Sequence, residues 1–178
     1  MNLGKIIAFS GSHGTGKTTA AHALAVKLKL ENPGAKIGFL SEVARECPYP
    51  INRKGGAEGQ LWIFGQQLSR ELSLCAQNDI VVADRCLLDC VAYASVLRLG
   101  HVVGKLAWTY EIYVHEVKPY KEIRILPPKK TFLAADGVRD TSIVFQRNVH
   151  KALVDLHKRY SGPVDVVWPE EEASNGSV

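Results

Sequence analysis

One octapeptide near the start of the chain limits the folds open to it more than any other feature. Residues 11–18 are GSHGTGKT, which matches the pattern G-x-x-x-x-G-K-[ST]. The apolar run KIIAFS at 5–10 precedes it with the length of a buried strand, and a helical pattern over 17–30 follows it. A glycine-rich turn between a strand and a helix lets main-chain N–H groups surround an anion. The octapeptide therefore predicts a loop that binds nucleotide phosphates.

The residue types in this loop suggest how the phosphates would be held. Lys17 is expected to reach the β- and γ-phosphates of ATP, and the hydroxyl of Thr18 is a suitable ligand for Mg²⁺. His13 occupies a variable position, and we interpret its side chain as a solvent-facing spacer. ATP and Mg²⁺ are thus the expected cofactors. The residues expected to bind ATP are Gly11, Ser12, His13, Gly14, Thr15, Gly16, Lys17, Thr18 and Thr19.

Apolar runs of strand length alternate with helical patterns along the whole chain. Strands are expected at 5–10, 36–43, 79–84, 122–126 and 164–168. Helices are expected at 17–30, 60–78, 87–99, 102–117 and, from a cap at Thr141 or Ser142, to about 160. The alternation predicts an α/β fold with a parallel sheet and helices on both faces. On the helix at 60–78, the inward-facing stripe is expected to be Leu61, Phe64, Leu68, Leu72 and Cys75.

Length and composition fit one globular domain. The chain has 178 residues, of which 46% are hydrophobic and 22% charged, and these values exclude disorder or a coiled coil as the main state. We expect a single domain over 1–169, with the acidic and polar segment 170–178 forming a disordered tail. No apolar run approaches the ~18 residues of a membrane span, and no signal-peptide core is present, so a soluble, cytoplasmic protein is expected.

Charge and cysteine content also limit which ligands and partners are expected. The net charge of +4 is spread along the chain, which suits a substrate that bears phosphate and argues against nucleic acid as a partner. Cys47, Cys75, Cys86 and Cys90 have no spacing typical of a zinc site, and we interpret them as reduced thiols.

A second set of candidate residues follows the third predicted strand. Asp84 and Arg85 come directly after the apolar run at 80–83. In a parallel sheet the carboxyl ends of the strands line the ligand cleft, so both side chains are expected near the loop at 11–18. Asp84 would then hold the Mg²⁺ ion together with Thr18, and Arg85 would be a fixed cation beside the transferred phosphoryl group. The alternative is an Asp–Arg pair at the surface.

Glu42 follows the second predicted strand and is the candidate residue for the acceptor side. It could accept a hydroxyl proton from the acceptor, or it could be a solvated carboxylate at a helix start. Arg45 is a weaker candidate for the same pocket.

Asp89 and Tyr93 lie four residues apart and share a helix face, which points either to the pocket or to solvent. Trp62, Gln66 and Arg70 share another helix face. This face could stack on and read a base or ring, or Trp62 could belong to the core with the other two residues at the solvated surface.

Residues 127–141 show no clear periodicity, and this length is typical of a functional loop, here a lid. Arg139 lies inside this segment and is the expected catalytic cation that would swing onto the ATP phosphates. Lys129, Lys130 and Arg147 are the alternatives. Arg139 could also belong to a purely structural turn.

The sequence resembles the P-loop nucleoside and nucleotide kinases. The resemblance rests on GSHGTGKT at 11–18, on Glu42, on DRCLLDCVAY at 84–93 and on LPPKKTFLAADGVRD at 126–140. It is strongest for the thymidylate-kinase-like and deoxynucleoside-kinase-like group, and extends to the small AAA-type P-loop domain of the nicotinamide riboside kinases. The resemblance implies a five-stranded parallel sheet in the order 2-3-1-4-5. It also implies that Asp84-Arg85 organises metal and phosphates, and that Glu42 is a base or a metal-linked acid.

Three functions compete at this point. The first is phosphoryl transfer from Mg-ATP to a small nucleoside-like or nucleotide acceptor. The second is a P-loop ATPase or nucleotide-dependent switch that acts through a protein partner. The third is a polynucleotide-end kinase, which would need a basic channel with exposed aromatic residues. The kinase is favoured because the chain shows no effector module; ATP or GTP as donor, and monomer or homodimer, both stay open.

Overall fold

The computed structural model describes residues 3–128 and 141–169. The strands are β1 (Lys5–Ser10), β2 (Ile37–Leu40), β3 (Ile80–Asp84), β4 (Tyr120–Ile125) and β5 (Asp165–Val167). The helices are α1 (Lys17–Glu31), α2 (Ala57–Gln77), α3 (Leu87–Val96), α4 (Gly100–Ile112) and α5 (Ile143–Tyr160). Short 3₁₀ turns lie at Val43–Glu46 and Asn52–Lys54, and a π-helical turn, Tyr113–Val117, extends α4.

The five strands form one parallel sheet in the order β2-β3-β1-β4-β5, which confirms the predicted fold. Side chains alternate between its faces, as they do along any strand. Ile6 and Ala8 of β1 pack into the larger core with α2, α3 and α4, whereas Phe9 packs against α1 on the other face. Helix α5 packs against α3 through Phe145, among others. No helix in the described ranges is long and apolar enough to cross a membrane.

The strand and helix boundaries depart from the sequence prediction where the chain leaves the sheet. Strand β2 ends at Leu40 rather than 43, because the chain turns there into the 3₁₀ turn Val43–Glu46. Helix α3 ends at Val96 rather than 99, since Arg98 takes a left-handed backbone conformation, with φ +60°. The predicted lid lies almost wholly outside the described residues, as does the predicted tail at 170–178.

The buried face of α2 differs from the predicted apolar stripe. Phe64 and Cys75 are buried as expected, but Leu61 and Leu72 are 51% and 38% exposed. Their places in the core are taken by Gln67 and Glu71, which are 2% and 0% exposed. The prediction was wrong because it assigned burial by hydrophobicity alone, whereas these polar groups are buried with hydrogen-bond partners.

Candidate active site

The glycine-rich loop joins β1 to α1 and presents backbone N–H groups to an open cleft. Gly14 and Gly16 adopt left-handed backbone conformations, with φ of +65° and +84°. Residues with a Cβ atom rarely adopt such conformations. Gly16 is the N-cap of α1, and no side chain among the described residues caps this helix end. The first N–H groups of α1 therefore lack intrahelical partners and are available to an anion.

Lys17 folds back over this loop. Its Nζ donates hydrogen bonds to the Ser12 carbonyl oxygen at 2.6 Å and to Thr15 Oγ1 at 3.3 Å. The residue is only 5% exposed. Burial, followed by repulsion from Arg85, lowers the pKa of Lys17 to about 8. The ammonium group thus interacts with its own loop at the position where the sequence predicts a phosphate.

Thr18 and Asp84 meet at the edge of the sheet. Thr18 Oγ1 donates to Asp84 Oδ2 at 2.6 Å, although 66 residues separate them. Asp84 is 1% exposed, and burial raises the pKa of its carboxyl group. Its Oδ1 atom has no hydrogen-bond partner among the described residues. A buried carboxylate oxygen without a partner next to a hydroxyl fits Mg²⁺, which takes few protein ligands and completes its shell with phosphates and water. Across residues 3–128 and 141–169, no group of three or more His, Cys, Asp or Glu residues could form an all-protein metal site.

Arg85 lines the cleft and has an unusual backbone conformation, with φ +109°. Its Nε donates to Glu42 Oε1 at 2.7 Å, and its Nη1 donates to Asp89 Oδ1 at 3.1 Å and to the Gly11 carbonyl at 3.2 Å. The guanidinium also lies 5.3 Å from the centroid of the Tyr93 ring. Arg85 therefore connects the phosphate loop, the end of β2 and helix α3.

Glu42 is held by two arginines. Its Oε1 accepts from Arg85, and its Oε2 accepts from Arg45 Nε at 3.0 Å. Burial alone would raise the pKa of Glu42, but the charges of Arg85 and Lys17 outweigh it and lower this pKa to about 2. In this arrangement the carboxylate is an anchor for cations and a weak proton acceptor.

The lining of the cleft extends beyond the phosphate loop. Ile51, Ile63 and Tyr93 add apolar side chains to it, and Gln60 and Cys90 also line it. Gln60 is buried at 3% exposure. Apolar side chains together with one buried amide can hold a flat, partly polar ring.

The structure brings together most of the residues that the sequence singled out. Lys17, Thr18, Glu42, Asp84 and Arg85 lie around one cleft, and Asp89 and Tyr93 line it as well. The face with Trp62, Gln66 and Arg70 is not part of the lining, and Arg70 instead pairs with Glu46 through two hydrogen bonds of 2.6 Å. Arg147 is exposed on α5. Arg139, Lys129 and Lys130 lie outside the described residues.

His13 is buried, so its interpretation as a solvent-facing spacer was wrong. Its backbone N–H donates to the Tyr93 hydroxyl at 3.1 Å, and its ring stacks on Phe145 at 5.7 Å between centroids. Gln146 Nε2 donates to the His13 carbonyl at 2.8 Å. Sequence reasoning missed these contacts because Phe145 and Gln146 come from α5, more than 130 residues further along the chain.

Comparisons with known proteins agree with the fold. A family model described as an AAA domain matches residues 6–173. Among solved structures, deoxyadenosine kinase from M. mycoides, with the products dCMP and a flexible dCDP bound, is similar with a TM-score of 0.65 at 15% identity. This match covers 93% of the present chain and 90% of that one. Thymidylate kinase from Ehrlichia chaffeensis has a TM-score of 0.64 at 18% identity, over 97% and 91% of the two chains. A search of curated proteins found no match.

Proposed function

Since this chain belongs to the AAA domain family, and its P-loop lies in a kinase-like fold, we propose that it transfers a phosphoryl group from Mg-ATP to a small nucleoside-like or nucleotide acceptor. The observation that carries the proposal is the extent of the cleft lining. Beyond the phosphate loop it includes Glu42, Arg85 and the mainly apolar surface that Ile51, Ile63 and Tyr93 contribute. A switch that only hydrolyses ATP has no need of this additional surface.

The donor would bind along the phosphate loop. The free N–H groups at the start of α1 would receive the phosphate oxygens, and Lys17 would exchange the Ser12 carbonyl for the β- and γ-phosphates. Thr18 and Asp84 would hold Mg²⁺, which neutralises phosphate charge when it is bound. Most of the catalytic effect in such a site comes from positioning and charge neutralisation.

The acceptor would lie against Ile51, Ile63 and Tyr93, with its hydroxyl near Glu42. For an acceptor that reacts through a hydroxyl group, the hydroxyl oxygen forms a bond to the γ-phosphorus, the bond from that phosphorus to the β–γ bridging oxygen breaks, and ADP leaves. Glu42 takes the hydroxyl proton. For this the carboxylate must lose part of its pairing with Arg85, which we propose turns toward the transferred phosphoryl group and so raises the pKa of Glu42.

The apolar side chains of Ile51, Ile63 and Tyr93 in the cleft lining support a heteroaromatic ring on the acceptor. Gln60 adds an amide there that could donate and accept hydrogen bonds with a base edge. These features support a nucleoside-like acceptor as the first group of compounds to test.

An acceptor panel tests the proposal. ADP or GDP release would be measured with ATP or GTP, Mg²⁺ and nucleosides, nucleoside monophosphates, nicotinamide riboside or oligonucleotide 5′ ends, with product masses confirmed. A kinase protects the γ-phosphate from water until its acceptor arrives, so release should be slow alone and rise sharply with one small acceptor. Steady hydrolysis that no acceptor stimulates would contradict the proposal and favour the switch. Stimulation by oligonucleotides alone would favour the polynucleotide-end kinase.

A further inference from the structure

Helix α2 buries two polar residues that the proposed chemistry does not use. Gln67 and Glu71 lie one turn apart and are almost completely inaccessible to solvent. Burying a carboxylate is costly unless its interactions replace those with water. Burial raises the pKa of Glu71 to about 7, and its hydrogen-bond donors among the described residues are the Gln67 amide and the Tyr120 phenol, not cations. A leucine at either position would fill the core without the free-energy cost of burying a polar side chain.

These two side chains belong to a hydrogen-bond network that binds the backbone of the turn after β3. Gln67 Nε2 donates one hydrogen bond to Glu71 Oε1 at 2.8 Å and another to the Arg85 carbonyl oxygen at 3.2 Å. The Tyr120 hydroxyl lies 2.9 and 3.0 Å from the two oxygens of Glu71 and donates to this carboxylate. The same hydroxyl oxygen accepts from the Leu87 N–H at 3.2 Å. The network therefore holds the backbone on both sides of Cys86.

The backbone held in this way is the strained part of the site. A residue with a side chain at φ +109° is costly and persists only where its surroundings enforce it. From this backbone conformation the Arg85 side chain reaches Glu42, Asp89 and the Gly11 carbonyl oxygen. Because Gln67 binds the Arg85 carbonyl directly, it can oppose relaxation of this peptide.

We propose that Gln67, Glu71 and Tyr120 form a positioning network that fixes the Arg85 backbone, and thereby aims its guanidinium at the transferred phosphoryl group. Gln67 makes the contact, Glu71 orients the amide of Gln67, and Tyr120 orients Glu71 while it binds the Leu87 N–H. The role at the phosphoryl group rests on the proposed function; the role in fixing Arg85 does not.

The first test needs no substrate. Hydrogen exchange at Arg85 Nε, followed by NMR at pH 7 and assigned from the signal lost in Arg85→Lys, reports the hydrogen bond to Glu42. Gln67→Met keeps the length of the side chain but removes the amide, and should speed this exchange about tenfold or more. Cys75→Ala is the control, because it removes a buried group from the same helix face without touching the turn. Unchanged exchange in folded Gln67→Met, or equal acceleration in Cys75→Ala, would overturn the network.

The second test measures transfer with the acceptor found in the panel. Gln67→Met should lower kcat about ten- to a hundredfold, while the KM for ATP stays within about twofold, because a small misplacement affects the transition state most. In an Arg85→Ala background the same substitution should have little further effect. Equal kcat losses in both backgrounds would show a general structural role and overturn the inference. If no acceptor supports transfer but Arg85 Nε exchanges faster in Gln67→Met, the network stands and the proposed function fails.

Discussion

The buried ammonium group of Lys17 makes the folded protein less stable at neutral pH. A base whose pKa is lower in the folded state makes folding less favourable as the pH falls from 10.5 to about 8, and the full cost remains below that range. The difference between these two pKa values corresponds to about 3 kcal/mol. Lys17→Met should therefore raise the free energy of unfolding near pH 7 by an amount of this order, with the gain vanishing above pH 10.5. Denaturant unfolding at several pH values measures it, and a gain that does not depend on pH would contradict the explanation.

The same variant should lose the response to nucleotide. Wild-type protein with Mg-ATP at 100 times its dissociation constant should gain about 2.7 kcal/mol in unfolding free energy. Lys17→Met should show little of this gain and no transfer, because the lysine that pairs with the phosphates is gone. A thermal-shift titration with Mg-ATP compares the two proteins, and an undiminished shift would remove Lys17 from the phosphate site.

Glu42 and Glu46 offer a matched pair of carboxylates. They lie four residues apart at the end of β2, but Glu42 lines the cleft, whereas Glu46 pairs with Arg70 on the surface. Glu42→Gln should lower transfer by about 10²- to 10⁴-fold if Glu42 takes the acceptor proton, with ATP affinity almost unchanged. Glu46→Gln should leave both quantities near their wild-type values. Steady-state rates and ATP titrations of the two variants decide this, and equal activity in both would exclude Glu42 as the base.

Asp84 should act on ATP through the metal ion. Asp84→Asn keeps a partner for the Thr18 hydroxyl but removes the carboxylate charge. It should weaken the binding of Mg-ATP much more than the binding of ATP in the presence of EDTA. Calorimetric titrations under the two conditions measure both affinities, and equal weakening would make Asp84 a structural residue.

At the scale of single elements, the buried carboxylate of Glu71 on helix α2 should make the stability of the protein depend on pH. An acid whose pKa is raised by folding contributes stability below its unfolded value of 4.5, and this contribution is lost as the pH rises through about 7. Relative to Glu71→Gln, the wild-type unfolding free energy should thus fall by about 3 kcal/mol between pH 4.5 and pH 8. Urea unfolding of both proteins across this range checks the difference, and parallel curves would mean that folding does not raise the pKa of Glu71.

The elements also show what periodicity can and cannot predict. The lengths of α1, α2 and α5 and the positions of all five strands follow from patterns within each segment, and these predictions were confirmed to within a few residues. The burial of Gln67 and Glu71 depends on Tyr120 and on the turn after β3, which lie elsewhere in the sequence. A local pattern contains no information about such partners. His13 was misplaced for the same reason.

At the scale of the molecule, the cleft lies where β1, β2 and β3 end, at the carboxyl edge of the parallel sheet. This placement follows from the alternation of strands and helices, so the meeting of Glu42, Asp84 and the phosphate loop could be predicted from sequence. What could not be predicted is which charges pair: the sequence places Arg85 near phosphate, and the structure pairs it with Glu42 and Asp89.

Nucleotide binding should protect one side of the molecule selectively. Addition of an ATP analogue that resists hydrolysis should slow amide exchange from Gly14 to Thr18, because these N–H groups would gain phosphate partners. Amides of β5, at the edge of the sheet, should exchange at unchanged rates. Hydrogen exchange with mass spectrometry resolves the two regions, and uniform slowing would indicate a global effect instead of a local site.

The burial of helix α3 limits how the acceptor specificity of this chain could change. Every residue from Leu87 to Ala94 is buried, and Asp89, Cys90 and Tyr93 in this span also face the cleft. A substitution that adapts α3 to a new acceptor would therefore also disturb the packing of α2, α4 or α5. Ala44, Ile51 and Asn52 line the same cleft from short turns and are less enclosed. Laboratory evolution toward a different acceptor should therefore accumulate its first substitutions at these three turn residues. Substitutions in α3 should be rarer and should appear later.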